Sequence, residues 1–203
     1  MTLSTSAHLE ELGARIAVRL GPDWQFLKSC KQLRRSRCGG HDIIVFDAMT
    51  QFSPAMLISF HFGRHFEVAT QANKLIGRLT PYEIHQNVRN LRHMAGLEYG
   101  GAVEWQVDAR ENLPGDLVSG FCDAVEAVAV PFLERFDDPL TARDALVADD
   151  SWVLIGGPLA WQSILVIDVG LGDLRHFEGW APTLDGDRRA LADGALALVR
   201  GAT

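Results

Sequence analysis

The sequence predicts an α+β protein: a small, mostly antiparallel sheet in the N-terminal half packed by helices, followed by a helical C-terminal part. Three observations carry this. Apolar residues recur at helical spacing before residue 21, change to the short alternating or continuous runs of strands between Trp24 and Phe62, and return to helical spacing after residue 115. The composition is that of a folded chain, with 47% hydrophobic and 22% charged residues over 203 positions. A chain of this length buries a core without disulfide staples, and residues 1–203 are expected to form a single domain with 139–203 as a candidate helical subdomain.

Leu9, Leu12, Ile16 and Leu20 define an opening amphipathic helix, stopped at Gly21-Pro22 by a left-handed cap and a missing donor. Ile43-Ile44-Val45-Phe46 reads as a strand covered on both faces. Met56, Ile58, Phe60 and Phe62 alternate with Leu57, Ser59 and His61, and Gly39-Gly40 and Ser53-Pro54 mark turns. Thr80-Pro81-Tyr82-Glu83 has the form of a capping box with proline in the first turn, which predicts a helix through Ile84, Val88 and Leu91.

Val103, Trp105 and Val107 alternate with polar residues as a half-exposed strand. A helix then carries Leu117, Phe121, Val125, Val128 and Phe132 on one face and Asp116, Asp123, Glu126 and Glu134 elsewhere, with Pro131 expected to kink or restart it. Asp138-Pro139 starts a short helix through Ala145 and Leu146. Residues 152–155 and 164–169 are apolar runs that periodicity does not assign; they are taken as helical, with Gly170–Asp173 as the following turn. A closing helix over 187–200 is expected to turn Leu191, Ala195 and Leu198 inward.

Several chemistries lack sequence support. Gly170-Leu171-Gly172-Asp173-Leu174-Arg175 begins like a dinucleotide-binding turn, but Arg175 occupies the third glycine position and 28 residues remain for the rest of the unit. The chain has no phosphate-cradling Gly-x-x-x-x-Gly-Lys-Ser/Thr loop and no Gly-x-Ser-x-Gly nucleophile elbow. His61 and His65 lie about 13 Å apart on a continuous strand, and His85 and His93 about 12 Å apart on a helix, too far to share an ion. Cys30, Cys38 and His41 offer three soft ligands without a fourth, so no metal site and no cofactor are expected. Three cysteines, an odd number, argue for a reducing compartment, and a charged N-terminus argues against a signal-peptide core; the expectation is a cytoplasmic protein.

Charge is the remaining clue. Lys28, Lys31, Arg34, Arg35 and Arg37 place five of 19 basic residues in one short stretch of a chain with 26 acidic residues and a net charge of −7. These five, with Trp180 in the stretch Glu178–Pro182, are the candidate binding residues; Lys and Arg on an edge strand that resists aggregation is the competing explanation. The net charge disfavours nucleic acid and favours encounter with a basic protein.

The order of elements resembles a broad group of uncharacterised bacterial α+β proteins, some of them linked to toxin-immunity loci. The residues that carry the resemblance are Asp42–Ala48 and Met56–Gly63, then Glu104-Trp105-Gln106-Val107, then the helix ending in Pro131-Phe132-Leu133-Glu134-Arg135-Phe136, a layout spanning about residues 24 to 146. The resemblance implies a non-enzymatic binding role of immunity type and transfers no catalytic residue. The alternative is an enzyme whose site is assembled from dispersed acidic residues and His61, His65, His85 and His93.

Overall fold

A computed structural model describes residues 5–49, 55–78, 80, 82–91, 99–108, 111, 113–148 and 160–202. Helix α1 (Thr5–Leu20) buries Leu9, Leu12 and Ile16 and ends at Gly21, whose φ of 99° lies in the left-handed region. Strands β1 (Trp24–Leu27) and β2 (Gln32–Arg37) form an antiparallel hairpin in the register Trp24↔Arg35 to Leu27↔Gln32. Then come β3 (Gly40–Met49) and the twelve-residue β4 (Ala55–Phe66). A 3-10 turn (Glu67–Ala69) leads into α2 (Thr70–Leu75), followed by β5 (Ile84–Asn87), α3 (Val88–Leu91) and β6 (Trp105–Asp108). The strand order is β1-β2-β3-β4-β5, and β6 pairs antiparallel with the start of β4, Ala55↔Asp108 to Ile58↔Trp105.

The remainder is helical: α4 (Gly115–Ala124), a π turn (Val125–Ala129), α5 (Val130–Arg135), α6 (Pro139–Val147), α7 (Ala160–Leu171), α8 (Leu174–Trp180), a 3-10 turn (Ala181–Thr183) and α9 (Gly186–Ala202). The architecture is the expected α+β class, a curled antiparallel sheet in the N-terminal half and helices mostly C-terminal.

The chain divides into two compact units. The first comprises Met1–Arg37, Asp42–Gly63 and Gln86–Glu134; the second comprises Cys38–His41, Arg64–His85 and Arg135–Thr203. In the first, Phe121 of α4 is the hub of an aromatic cluster. Its ring centroid lies 4.5 Å from Phe60, 5.0 Å from Trp105 and 5.2 Å from Phe46. Phe62 meets Phe132 edge-on at 5.2 Å. Each fully buried ring of this kind stabilises the fold by about 1.5–3 kcal/mol through lost water contact. Phe121 and Phe132 project from one long helical run because the π turn takes up Pro131. The Val130 amide donates to Val125 O, one residue further back than an α-helix reaches, and this widened turn accommodates a residue that has no donor for Ala127 O.

In the second unit, α7 is the central element. Trp161 and the whole run Ser163–Asp168 are buried, and α2, α6, α8 and α9 pack around it. Gly170 lets the end of α7 touch backbone, since a Cβ there would fall 2.3 Å from Val68 O. Gly172, at φ 72°, makes the turn into α8 that was expected at Gly170–Asp173. The Asp138 carboxylate caps α6 by accepting from the Thr141 amide at 2.9 Å.

Two local expectations fail. The helix anticipated after Thr80-Pro81 is instead strand β5 over Ile84–Asn87, and only Val88–Leu91 is helical. Glu83 does not close a capping box. Its amide donates to Arg64 O at 2.9 Å and its carboxylate accepts from the Phe66 amide at 2.7 Å, so pairing with β4 outcompetes the local cap. The closing helix α9 is present but turned by about one residue. Ala192, Ala195, Leu196 and Val199 face inward, while Leu191 is 63% and Leu198 58% exposed, because small Ala192 permits close approach to the neighbouring helices. Residues 152–155 and His93 lie outside the described residues.

Candidate functional site

The five basic candidates lie on the β1–β2 hairpin of the first unit. Lys28 is exposed beside the turn, Lys31 occupies the turn at φ 52°, and Arg34, Arg35 and Arg37 are half-buried on β2. Alternation along a strand sends Arg34 to one face and Arg35 and Arg37 to the other, so these residues do not form a one-sided stripe. Arg35 serves the fold itself. Its guanidinium reaches the fully buried Asp42 carboxylate at 2.8 Å and lies 4.9 Å over the Trp24 ring. Trp180 belongs to the second unit, where it ends helix α8 instead of sitting in a loop; it is half-buried, with its ring 6.1 Å from Phe177.

From Gly115 to Glu134 the outer face of α4, the π turn and α5 carries one sign of charge, and the exposed Arg135 follows as the last residue of α5. Every charged residue from Gly115 through Glu134 is acidic, and Asp116, Asp123, Glu126 and Glu134 are all exposed, while Leu117, Phe121, Val125, Val128 and Phe132 on the other face are buried. At about 1.5 Å rise per residue the four carboxylates run along roughly 27 Å of helix. Beside Asp116 lies an open concavity of about 410 Å³, lined among others by Trp105, Glu104, Gln106 and Leu117. Glu104 there accepts from Arg89 at 2.5 Å.

The same helix holds Cys122, whose thiol burial pushes up to about 11, with Glu126 and Asp123 adding to the shift and Arg19 opposing it. Cys30 and Cys38 are exposed. Iodoacetamide at pH 8 is therefore expected to alkylate Cys30 and Cys38 in the native protein and to spare Cys122 until denaturant is added. Peptide mass spectrometry reads this directly, and rapid native alkylation of Cys122 would contradict the packing of α4.

The second unit contains a buried polar network that the sequence reading did not assemble. The Glu83 carboxylate, 1% exposed, accepts from the Phe66 amide at 2.7 Å and from Asn73 Nδ2 at 2.5 Å. His65 Nδ1 lies 3.1 Å from one carboxylate oxygen and 3.3 Å from the other, and Arg78 Nη1 is 3.8 Å away. The second nitrogen of His65, Nε2, is 3.1 Å from Thr70 Oγ1, and the His41 ring packs 4.7 Å from the His65 ring. Arg78 also donates to Tyr82 O and Ser163 Oγ, and burial lowers its pKa against the opposing pull of Glu83.

The remaining histidine candidates sit apart. His61 pairs with Asp47 at 3.1 Å in the first unit, and His85 packs against Tyr82. A third imidazole–carboxylate pair joins His176 to the fully buried Asp168 at 3.1 Å, with Arg143 on the other oxygen at 3.2 Å. Burial raises the Asp168 pKa, and hydrogen bonds from His176 and Arg143 oppose the rise.

From the sequence, His65 is a candidate acid or base of the alternative enzyme and Glu83 a helix cap, with nothing to join the two. Thr70, Asn73 and Arg78 had no signal of their own, being ordinary polar residues at no motif spacing. Among the described residues no three His, Cys, Asp or Glu side chains converge to hold a metal ion, and no helix is long and apolar enough to cross a membrane. No family model, curated protein or solved structure matches the chain.

Proposed function

We propose that this protein is a macromolecular interaction protein that docks a basic segment of a partner protein on the acidic outer face of α4 and α5. The observation that supports this reading is the unbroken sign of charge at Asp116, Asp123, Glu126 and Glu134 on a helix whose opposite face is already used by the core. Such a face adds little to the stability of its own fold. Like charges along a helix repel one another, and a cationic partner removes that repulsion while it steers encounter.

The same field disfavours a nucleic-acid backbone and an anionic membrane surface. The immunity-type role implied by the layout, in which the chain covers a basic toxin, is one form of this reading. A cytoplasmic setting belongs to it as well, in keeping with the unpaired Cys30, Cys38 and Cys122. Lys28, Lys31, Arg34, Arg37 and Trp180 remain candidate contacts outside the acidic face.

The test pairs capture with charge reversal. Tagged protein is exposed to an extract of the cells that express it at moderate salt, and the bound protein is identified and its affinity measured. Asp123→Lys/Glu126→Lys is expected to weaken a stoichiometric basic partner about 10- to 100-fold, mostly through the association rate, and raised salt should weaken the wild type in the same way. Binding that is indifferent to both changes, or the absence of any stoichiometric basic partner, would overturn the reading.

A further inference from the structure

We infer that Thr70, His65 and Glu83 form a hydroxyl–imidazole–carboxylate relay in which Thr70 Oγ is a nucleophile toward uncharged acyl esters. This lies beyond the docking reading and does not rest on it, because all three residues belong to the second unit. The chemistry follows from donor and acceptor assignment. The Glu83 oxygens already accept from the Phe66 amide and Asn73, and the tautomer in which His65 Nδ1 donates to the same carboxylate completes that set of donors. In the neutral ring the lone pair is then on Nε2, which lies 3.1 Å from Thr70 Oγ1, within the distance a general base needs to take the hydroxyl proton.

The ring is held as well as assigned. The Phe66 amide and Asn73 pin the carboxylate, and the His41 ring packs alongside at 4.7 Å. His65 nonetheless keeps 17% of its side-chain surface open, and Thr70 is half-buried, so a small electrophile has access. This is the arrangement of nucleophile, base and orienting acid that recurs on unrelated folds.

An uncharged acyl carbon suits the surroundings better than a phosphoryl group. Arg64 is committed to Asp137 at 2.8 Å and to Cys38 O at 3.2 Å, and Arg78 to Tyr82 O, Ser163 and Glu83. In the reaction, Thr70 Oγ bonds to the carbonyl carbon as its proton passes to His65 Nε2. The C–O bond to the leaving alcohol then breaks, and that alcohol takes the proton from the imidazolium. Water repeats the sequence on the Thr70 ester and releases the acid.

The experiment uses the full chain and p-nitrophenyl acetate, with tandem mass spectrometry locating the acetyl group. Thr70 is expected to be acetylated in the wild type, residue 70 to be acetylated in Thr70→Ser, and modification at 70 to fall at least about 100-fold in His65→Gln. Glu83 acts through the ring as a positioning residue, so the wild type is expected to show a deshielded His65 Nδ1 proton resonance and Glu83→Gln to abolish it. An unmodified Thr70 in protein of native circular dichroism, or equal modification in His65→Gln, would overturn the proposal. Loss of the partner-binding reading would leave both results unchanged.

Discussion

Glu83→Leu is expected to lower the stability of the folded chain by about 3–5 kcal/mol, the cost of deleting one partner from a buried charged network. The carboxylate is 1% exposed and gathers the Phe66 amide, Asn73, His65 and Arg78. Leucine fills the space but accepts no hydrogen bond. It leaves a buried amide and a buried side-chain donor unpaired, at about 1–3 kcal/mol each, and a guanidinium without its nearest carboxylate. Glu83→Gln keeps one accepting oxygen and turns an NH2 toward existing donors, so it should cost less than leucine and more than a surface change. Urea unfolding midpoints at constant slope rank the two variants. A leucine variant within about 0.5 kcal/mol of wild type would mean that the carboxylate is solvated.

Gly40→Ala should be the most damaging single methyl group in the β2–β3 turn, at about 3 kcal/mol or more. An ideal Cβ at residue 40 falls 1.9 Å from His65 O, 3.0 Å from its carbonyl carbon and 3.2 Å from Phe66 Cα. All three are backbone atoms, so no side chain can swing aside and the strand itself must move. Gly39 offers the contrast. Its φ is 74° and nothing lies within 4 Å of a Cβ there, so Gly39→Ala pays the strain of a left-handed alanine alone, about 1 kcal/mol. The two variants, compared by urea or thermal unfolding, separate close approach from backbone strain at adjacent residues. A Gly39 variant as damaging as the Gly40 variant would contradict the approach of the turn to β4. Because the displaced carbonyl is that of His65, Gly40→Ala should also reduce acetylation at Thr70.

These two glycines mark a boundary in what a sequence carries. That Gly39-Gly40 is a turn was legible, because glycine pairs between strand-like runs are local punctuation. That one glycine is needed for its φ and the other for its missing side chain depends on where His65 lies, 25 residues later in the chain. The acidic face of α4 and α5 was legible in the same local sense. Helical spacing separates Asp116, Asp123, Glu126 and Glu134 from the apolar residues, although that spacing does not reveal whether anything covers the face.

The relay in the second unit was not legible. Residues 65, 70, 73, 78 and 83 have no common period. They converge because the end of β4, the short helix α2 and the entry to β5 fold back around one carboxylate. The Thr80-Pro81-Glu83 pattern pointed to a helix cap, a reading the strand over Ile84–Asn87 overturns. It lost because a buried Phe66 amide needs an acceptor and Glu83 supplies one.

From its own residues, then, the chain determined its α+β class, the helix over α1, the capped start of α6, the turn after α7 and the sign of charge along α4 and α5. Each is settled by short-range sterics, capping or periodicity within about two turns. Only the tertiary structure decided that Ile84–Asn87 is a strand and which face of α9 is buried. It also placed Trp180 at a helix end and put Thr70, His65 and Glu83 in line. Those outcomes turn on which buried donors and acceptors find each other across the fold, and local pattern does not encode that competition.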